Sequence, residues 1–213
     1  MMLIGMFDSP FVRRVAVSMK RLGLLFEHAN WSVGKDFDRI RQYNPLGRVP
    51  TLVLDDGDAL TDSAAILDYL DELVGPDRAL LPPAGPARRE TLRVMALSIG
   101  AAEKGRDQVY ERVFRPAEKR HEPWLDRVKT QMHGALTELE KHVAMRGQQP
   151  WLIEERVTQA DITTGCVLTF LTESVVGLKP QSTPYPALYA FLERCEALPE
   201  FKATKTGWSA PAT

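Results

Sequence analysis

A chain of 213 residues with 27 basic and 28 acidic side chains, a formal net charge of -1, leaves room for one large domain or two small ones and lacks the basic excess on which nucleic-acid binding rests. No run approaches the length that spans a bilayer, and Gly5 and Asp8 interrupt the first residues too early for a secretory apolar segment, so a cytoplasmic protein without membrane or nucleic-acid partners is expected. Two cysteines, Cys166 and Cys195, give neither a disulfide scaffold nor a close redox or zinc pair, and four dispersed histidines, His28, His121, His133 and His142, show no metal-ligand spacing.

The first apolar run, Leu3-Ile4-Gly5-Met6, predicts a strand, and the spacing from Pro10 onward predicts a helix over residues 10–22. Ser9 stands at the junction. Its side chain can accept from the free N–H groups of the first helical turn, and Pro10 suits the first helical position. A hydroxyl at the positive end of a helix is equally placed to hold an anion, a thiolate among them. Gly23 ends the helix, a second strand is expected over 25–30, and a short, partly exposed helix over 36–43. After a turn at Asn44-Pro45-Leu46-Gly47, a strand resumes over 48–54. Pro50 cannot donate to a sheet ladder, so it marks the strand entrance and leaves Val49 extended, with backbone groups accessible to a peptide-like ligand. Asp55-Asp56-Gly57-Asp58 is a hairpin turn into a short strand at Ala59 and Leu60. Thr61-Asp62-Ser63 then precedes an apolar helical stripe through Ile66, Leu70 and Leu73, with Asp62 and Ser63 as first-turn caps.

Gly75-Pro76 closes that helix, and the stretch to Pro86 reads as a linker. Beyond it the pattern is helical throughout. Leu92, Met95, Ile99, Val109 and Val113 mark a long helix whose apolarity is interrupted around Gly105, and Trp124, Val128, Met132, Leu136 and Val143 mark another. Thr158-Gln159-Ala160-Asp161 fits a capping box before Ile162 and Cys166. A further helix follows Tyr185-Pro186, a short one starts at Pro199, and Trp208 is the one large apolar residue of the tail, placed to pack loosely or to lie over a cleft.

In this order and spacing, Ser9-Pro10-Phe11-Val12-Arg13-Arg14-Val15, Asn44-Pro45-Leu46-Gly47-Arg48-Val49-Pro50-Thr51-Leu52, Asp62-Ser63, Leu80-Leu81-Pro82 and Thr158-Gln159-Ala160-Asp161 resemble the glutathione S-transferase family, most closely its serine-type, tau-like and bacterial members. The resemblance implies an α/β thioredoxin-like N-terminal domain over residues 1–81, an all-α C-terminal domain over 87–213, a homodimer, and glutathione as cosubstrate with no metal. By position it places Ser9 at the glutathione sulfur and Val49, before the family's cis-proline at Pro50, against the cysteinyl backbone. Arg48 falls near the glycyl carboxylate, Asp62 and Ser63 fall at the γ-glutamyl end, and Phe11 and Lys35 are further glutathione-binding candidates. A small hydrophobic electrophile would be met by Phe7 and Asp8, by the polar patch of the long helix at Lys104 and Gln108, and by Trp208.

Redox relatives carry a C-x-x-C pair, or one cysteine of it, at the helix start, where this chain has Ser9 and Val12. A serine forms no mixed disulfide, which leaves conjugation, or isomerase or peroxidase chemistry by bound glutathione itself. The alternative of another class is a protein that keeps the fold as a binding or protein-interaction module without turnover.

Overall fold

The computed structural model of the chain describes residues 1–175, 178 and 184–209. The N-terminal half runs β1 (Met2–Ile4), α1 (Pro10–Arg21), β2 (Glu27–Ala29), α2 (Phe37–Arg41), β3 (Thr51–Val53), β4 (Ala59–Leu60) and α3 (Ser63–Val74). The strands form one sheet in the order β2-β1-β3-β4, with β1 and β2 parallel and the other two pairings antiparallel. Leu3 and Ile4 in β1 and Leu52 in β3 are fully buried, with Val12, Val15 and Met19 of α1 in the same core. This small mixed sheet under helices is the thioredoxin-like arrangement. The strands are shorter than the apolar runs that predict them. Leu25 is exposed and the ladder to β1 begins only at Glu27.

The C-terminal half is helical: α4 (Gly85–Val113), α5 (Glu122–Met145), α6 (Gln159–Ser174), α7 (Pro186–Glu196) and α8 (Pro199–Lys202), with a 3-10 turn at Ala117–Lys119. The break in apolarity around Gly105 is a close helix crossing. A Cβ on Gly105 would stand 2.3 Å from Leu171 Cδ2, so the missing side chain lets α4 and α6 approach. Two residues of the predicted apolar stripes fall outside the core. Leu92 is 44% and Trp124 43% exposed, and Lys104 Nζ lies 5.8 Å above the Trp124 ring.

Helix α6 starts on the predicted capping box. Thr158 N–H donates to Asp161 Oδ2 at 2.7 Å, and Asp161 Oδ1 accepts from Leu152 N–H at 2.7 Å. Burial still lifts the Asp161 carboxyl above its ordinary range, against these hydrogen bonds. Both cysteines are buried and free, and burial pushes Cys166 up to about 12, which leaves its thiol inert. Helix α1 packs on α3 on one side and α6 on the other, so the helix that begins at Ser9 is shared by the two halves. Among the described residues no helix is long and apolar enough to cross a membrane.

Candidate functional site

A cavity of about 750 Å³ opens between the two halves, within the size range of small-molecule sites. Its floor is the β1–α1 junction. Gly5, at φ +128°, lets three segments meet there, since a Cβ would lie 2.6 Å from Val12 Cγ2 and 2.8 Å from Val49 Cβ. Phe7 stacks on His28 with ring centroids 3.8 Å apart, and His28 Nε2 is 2.8 Å from Gly5 O, which braces the loop from beneath.

Ser9 occupies the N-cap position of α1, but its hydroxyl makes no capping hydrogen bond. The expected first-turn cap is therefore corrected. Pro10 has no N–H, and Ser9 contributes only its carbonyl, which accepts from Arg13 N–H at 2.9 Å. Ser9 lines the cavity, and its hydroxyl has no protein partner among the described residues. Phe11, Lys35, Arg48 and Val49 line the same cavity. Val49-Pro50 is cis, and no hydrogen bond engages the Val49 backbone N–H or C=O among the described residues.

Asn44 is a positioning residue that the sequence reading passes over as part of a turn. It is fully buried, its Nδ2 donates to Arg48 O at 2.9 Å, Thr51 Oγ1 at 3.2 Å and Thr61 Oγ1 at 3.0 Å, and its Oδ1 accepts from Leu46 N–H at 3.0 Å. It thereby ties the Arg48–Val49 segment to the residues that start α3. An Asn44→Ala substitution removes all four of these bonds, leaving only the 3.3 Å bond from Thr51 Oγ1 to Arg48 O, and is expected to cost about 2–3 kcal/mol in denaturant unfolding; a loss below a few tenths would show that the loop holds its shape without it.

Asp62 caps α3, its Oδ1 accepting from Ala64 N–H at 2.8 Å and Ala65 N–H at 3.3 Å, and Ser63 opens the helix. Asp62, Ser63 and Pro50, expected at the site from the sequence, are not among the residues that line the cavity.

The opposite wall comes from the helical half: Arg106, Asp107 and Tyr110 on α4, Phe114 at its C-cap, Phe170 on α6, and Trp208. Asp8 and Trp208 are here as expected, whereas Phe7, Lys104 and Gln108 are not among the lining residues. Phe7 is taken up by His28. Gln108 is buried, donating to Lys104 O at 3.2 Å and Met132 Sδ at 3.4 Å, and Lys104 turns to Trp124 and to Asp107 at 3.5 Å. Burial raises the Tyr110 hydroxyl, with the Arg106 and Arg48 charges acting against it. Burial likewise raises the Asp8 carboxyl, although Ser209 donates to it from both N–H and Oγ at 3.3 Å. With Trp208 N–H donating to Glu173 Oε2 at 3.0 Å, that contact fixes Trp208 and Ser209 on the cavity wall.

The site thus offers a free hydroxyl at a helix start, an open peptide edge at Val49, cations at Lys35 and Arg48, and an aromatic wall facing them. The chain as a whole is similar to known proteins. The family models of the glutathione S-transferase N-terminal and C-terminal domains match residues 3–78 and 106–199. The uncharacterized GST-like protein YibF of Escherichia coli K12 is 30% identical over 171 residues, 80% of this chain and 82% of that protein. Among solved structures, a glutathione S-transferase of Methylobacterium radiotolerans in complex with glutathione sulfonate superposes with a TM-score of 0.89 at 27% identity, covering 100% of this chain and 97% of the other. A glutathione transferase family member from Pseudomonas fluorescens Pf-5 with bound glutathione gives 0.82 at 31% identity, covering 96% and 98%.

Proposed function

Because the chain belongs to the glutathione S-transferase family, we propose that it is a glutathione transferase in which Ser9 holds the glutathione sulfur as a thiolate for attack on a hydrophobic electrophile. The single observation behind this reading is Ser9, which lines the cavity at the start of α1 and whose hydroxyl makes no capping hydrogen bond. A thiol of pKa about 8.5 is only a few per cent ionised at neutral pH, and lowering it by two units takes about 2.7 kcal/mol. One hydrogen bond to a charged acceptor supplies roughly 1.5–3 kcal/mol and a helix N-terminus roughly 0.3–1, so Ser9 with the α1 backbone is sufficient without a catalytic base.

In this reading the Val49 backbone pairs with the cysteinyl unit, Lys35 and Arg48 take the glycyl carboxylate, and Asp62 and Ser63 take the γ-glutamyl end. The thiol proton leaves to solvent. The sulfur lone pair then forms a C–S bond to the electrophilic carbon while the bond from that carbon to its leaving group breaks. The electrophile lies against Tyr110, Phe114, Phe170 and Trp208, which suit a flat apolar group of the kind a detoxifying conjugation removes.

Turnover of a nitro-activated aryl chloride, saturable in glutathione, is the expected result. Retention on immobilised glutathione with no turnover of aryl chloride, epoxide or hydroperoxide would instead make the protein a binding module. The family also supports a cytoplasmic homodimer, for which sedimentation should give a species near twice the 23.9 kDa chain mass; a single species at the chain mass would remove it.

A further inference from the structure

Arg14 is 2% exposed, and its hydrogen bonds all go to hydroxyls rather than to a carboxylate. Its Nε and Nη2 donate to Ser63 Oγ at 3.1 and 2.8 Å, and its Nη1 donates to Thr163 Oγ1 of α6 at 3.3 Å. Burial brings the guanidinium down to about 10, opposed by the Asp62 charge. A buried cation without an ion-pair partner is costly to keep, and it is at home where an anion arrives later.

The consequence falls on Ser63. A hydroxyl oxygen has two lone pairs and one proton, and the two Arg14 N–H groups occupy both lone pairs. The O–H can then only donate. Ser63 is 4% exposed, and none of the described residues accepts that proton. Buried donors seldom go unpaired. One residue earlier stands Asp62, a carboxylate that only accepts. An acceptor and an obligate donor side by side, with a buried cation behind the donor, complement the ammonium and carboxylate of an α-amino acid head group.

Resting on the glutathione site described above, we propose that Arg14 is the positioning residue of the γ-glutamyl subsite: by filling the lone pairs of Ser63 Oγ it turns that hydroxyl into a dedicated donor and selects an α-carboxylate there. Because Thr163 holds the other arm of the guanidinium, the helical half sets the polarity of a subsite that otherwise belongs to the sheet half.

The test compares two peptides by calorimetric titration: glutathione, and 4-aminobutyryl-cysteinylglycine, which lacks only the γ-glutamyl α-carboxylate. The unaltered protein should bind glutathione more tightly. In Arg14→Met, affinity for glutathione should fall roughly 10- to 100-fold, while affinity for the truncated peptide changes by no more than about twofold. The unfolding midpoint should not drop, because an uncompensated buried cation has been removed. Arg14→Lys keeps the charge but brings a single nitrogen to Ser63, so its discrimination should fall between the two. Equal losses for both peptides in Arg14→Met, or an Arg14→Lys variant that discriminates as sharply as the unaltered protein, would overturn the role. If the unaltered protein binds neither peptide, the glutathione site itself falls, and the role of Arg14 with it.

Discussion

Ser9→Ala should lower kcat/KM for conjugation by roughly one to two orders of magnitude and raise the pKa of the bound thiol by about 1–2 units, the loss of one hydrogen bond to a charged acceptor. The two effects are linked, and their sign gives a check. Below the raised pKa the variant holds less thiolate, so the deficit is largest near neutral pH. Above it the thiol is ionised in both proteins, and the deficit should shrink. A less stabilised thiolate is also the stronger nucleophile, which returns a further part of the loss there. Stability supplies the second half of the prediction. A serine whose hydroxyl caps a helix costs about 1 kcal/mol when changed to alanine, but the Ser9 hydroxyl makes no such bond. The unfolding midpoint of Ser9→Ala should therefore stay close to that of the unaltered protein. An unchanged thiolate titration on glutathione binding would remove Ser9 from its role, and a deficit that persists at high pH together with a fall in stability would reassign it to structure.

Arg13→Met should have the largest effect on folding, about 3–5 kcal/mol, because it strands a partner that has been taken out of water. Arg13 Nη1 and Nη2 lie 2.7 and 3.0 Å from the two Glu196 oxygens, Nη2 also donates to Phe201 O at 3.0 Å, and Thr169 Oγ1 donates to Glu196 at 2.6 Å. This network fastens α1 to α6, α7 and α8. Lys205, 3.8 Å from Glu196, keeps some compensation in the variant and places the expected loss toward the lower end. Changing both residues to methionine should cost less than changing Arg13 alone.

The pH dependence follows from Glu196. Burial pushes its carboxyl up, but hydrogen bonds from Arg13 and Thr169 and the charges of Arg13 and Lys205 hold it below the ordinary value. A group depressed in the folded state contributes stability above its unfolded pKa, about 4.3, and loses it as pH falls through the folded value. Without Arg13 the carboxyl rises toward its unfolded value, so this acid loss fades in the variant and its stability deficit should be largest at neutral pH and narrow as pH falls. Urea melts at neutral and acid pH measure both effects; equal unfolding free energies for the two proteins would show the pair to be energetically idle.

Much of this was legible from local pattern. The junction at Ser9-Pro10, the strand entrance at Pro50, the hairpin at Asp55–Asp58 and the capping box at Thr158 and Asp161 each depend on residues within a few positions of one another, and the structure has each of them where the pattern predicts. The Ser9 cap shows where locality stops. The sequence places a hydroxyl at the helix start, but whether it turns back to the helix or into a cavity depends on what surrounds it.

Sequence alone determined the succession of elements, the two kinds of half-chain and the residues at helix starts, because periodicity, caps and turn chemistry act over one or two turns. The tertiary structure decided which side of each element meets the other half. On α4, Lys104 and Gln108 are four residues apart on one face, and Arg106 and Tyr110, with Phe114 at the C-cap, repeat the same spacing on another. Both stripes are equally visible in the sequence, and only the second lines the cleft. The same holds for Asn44 and Arg14, whose partners at Thr61, Ser63 and Thr163 lie 17, 49 and 149 positions away. Such contacts leave no periodic trace, since packing at long sequence separation is set by the whole fold rather than by the neighbouring residues.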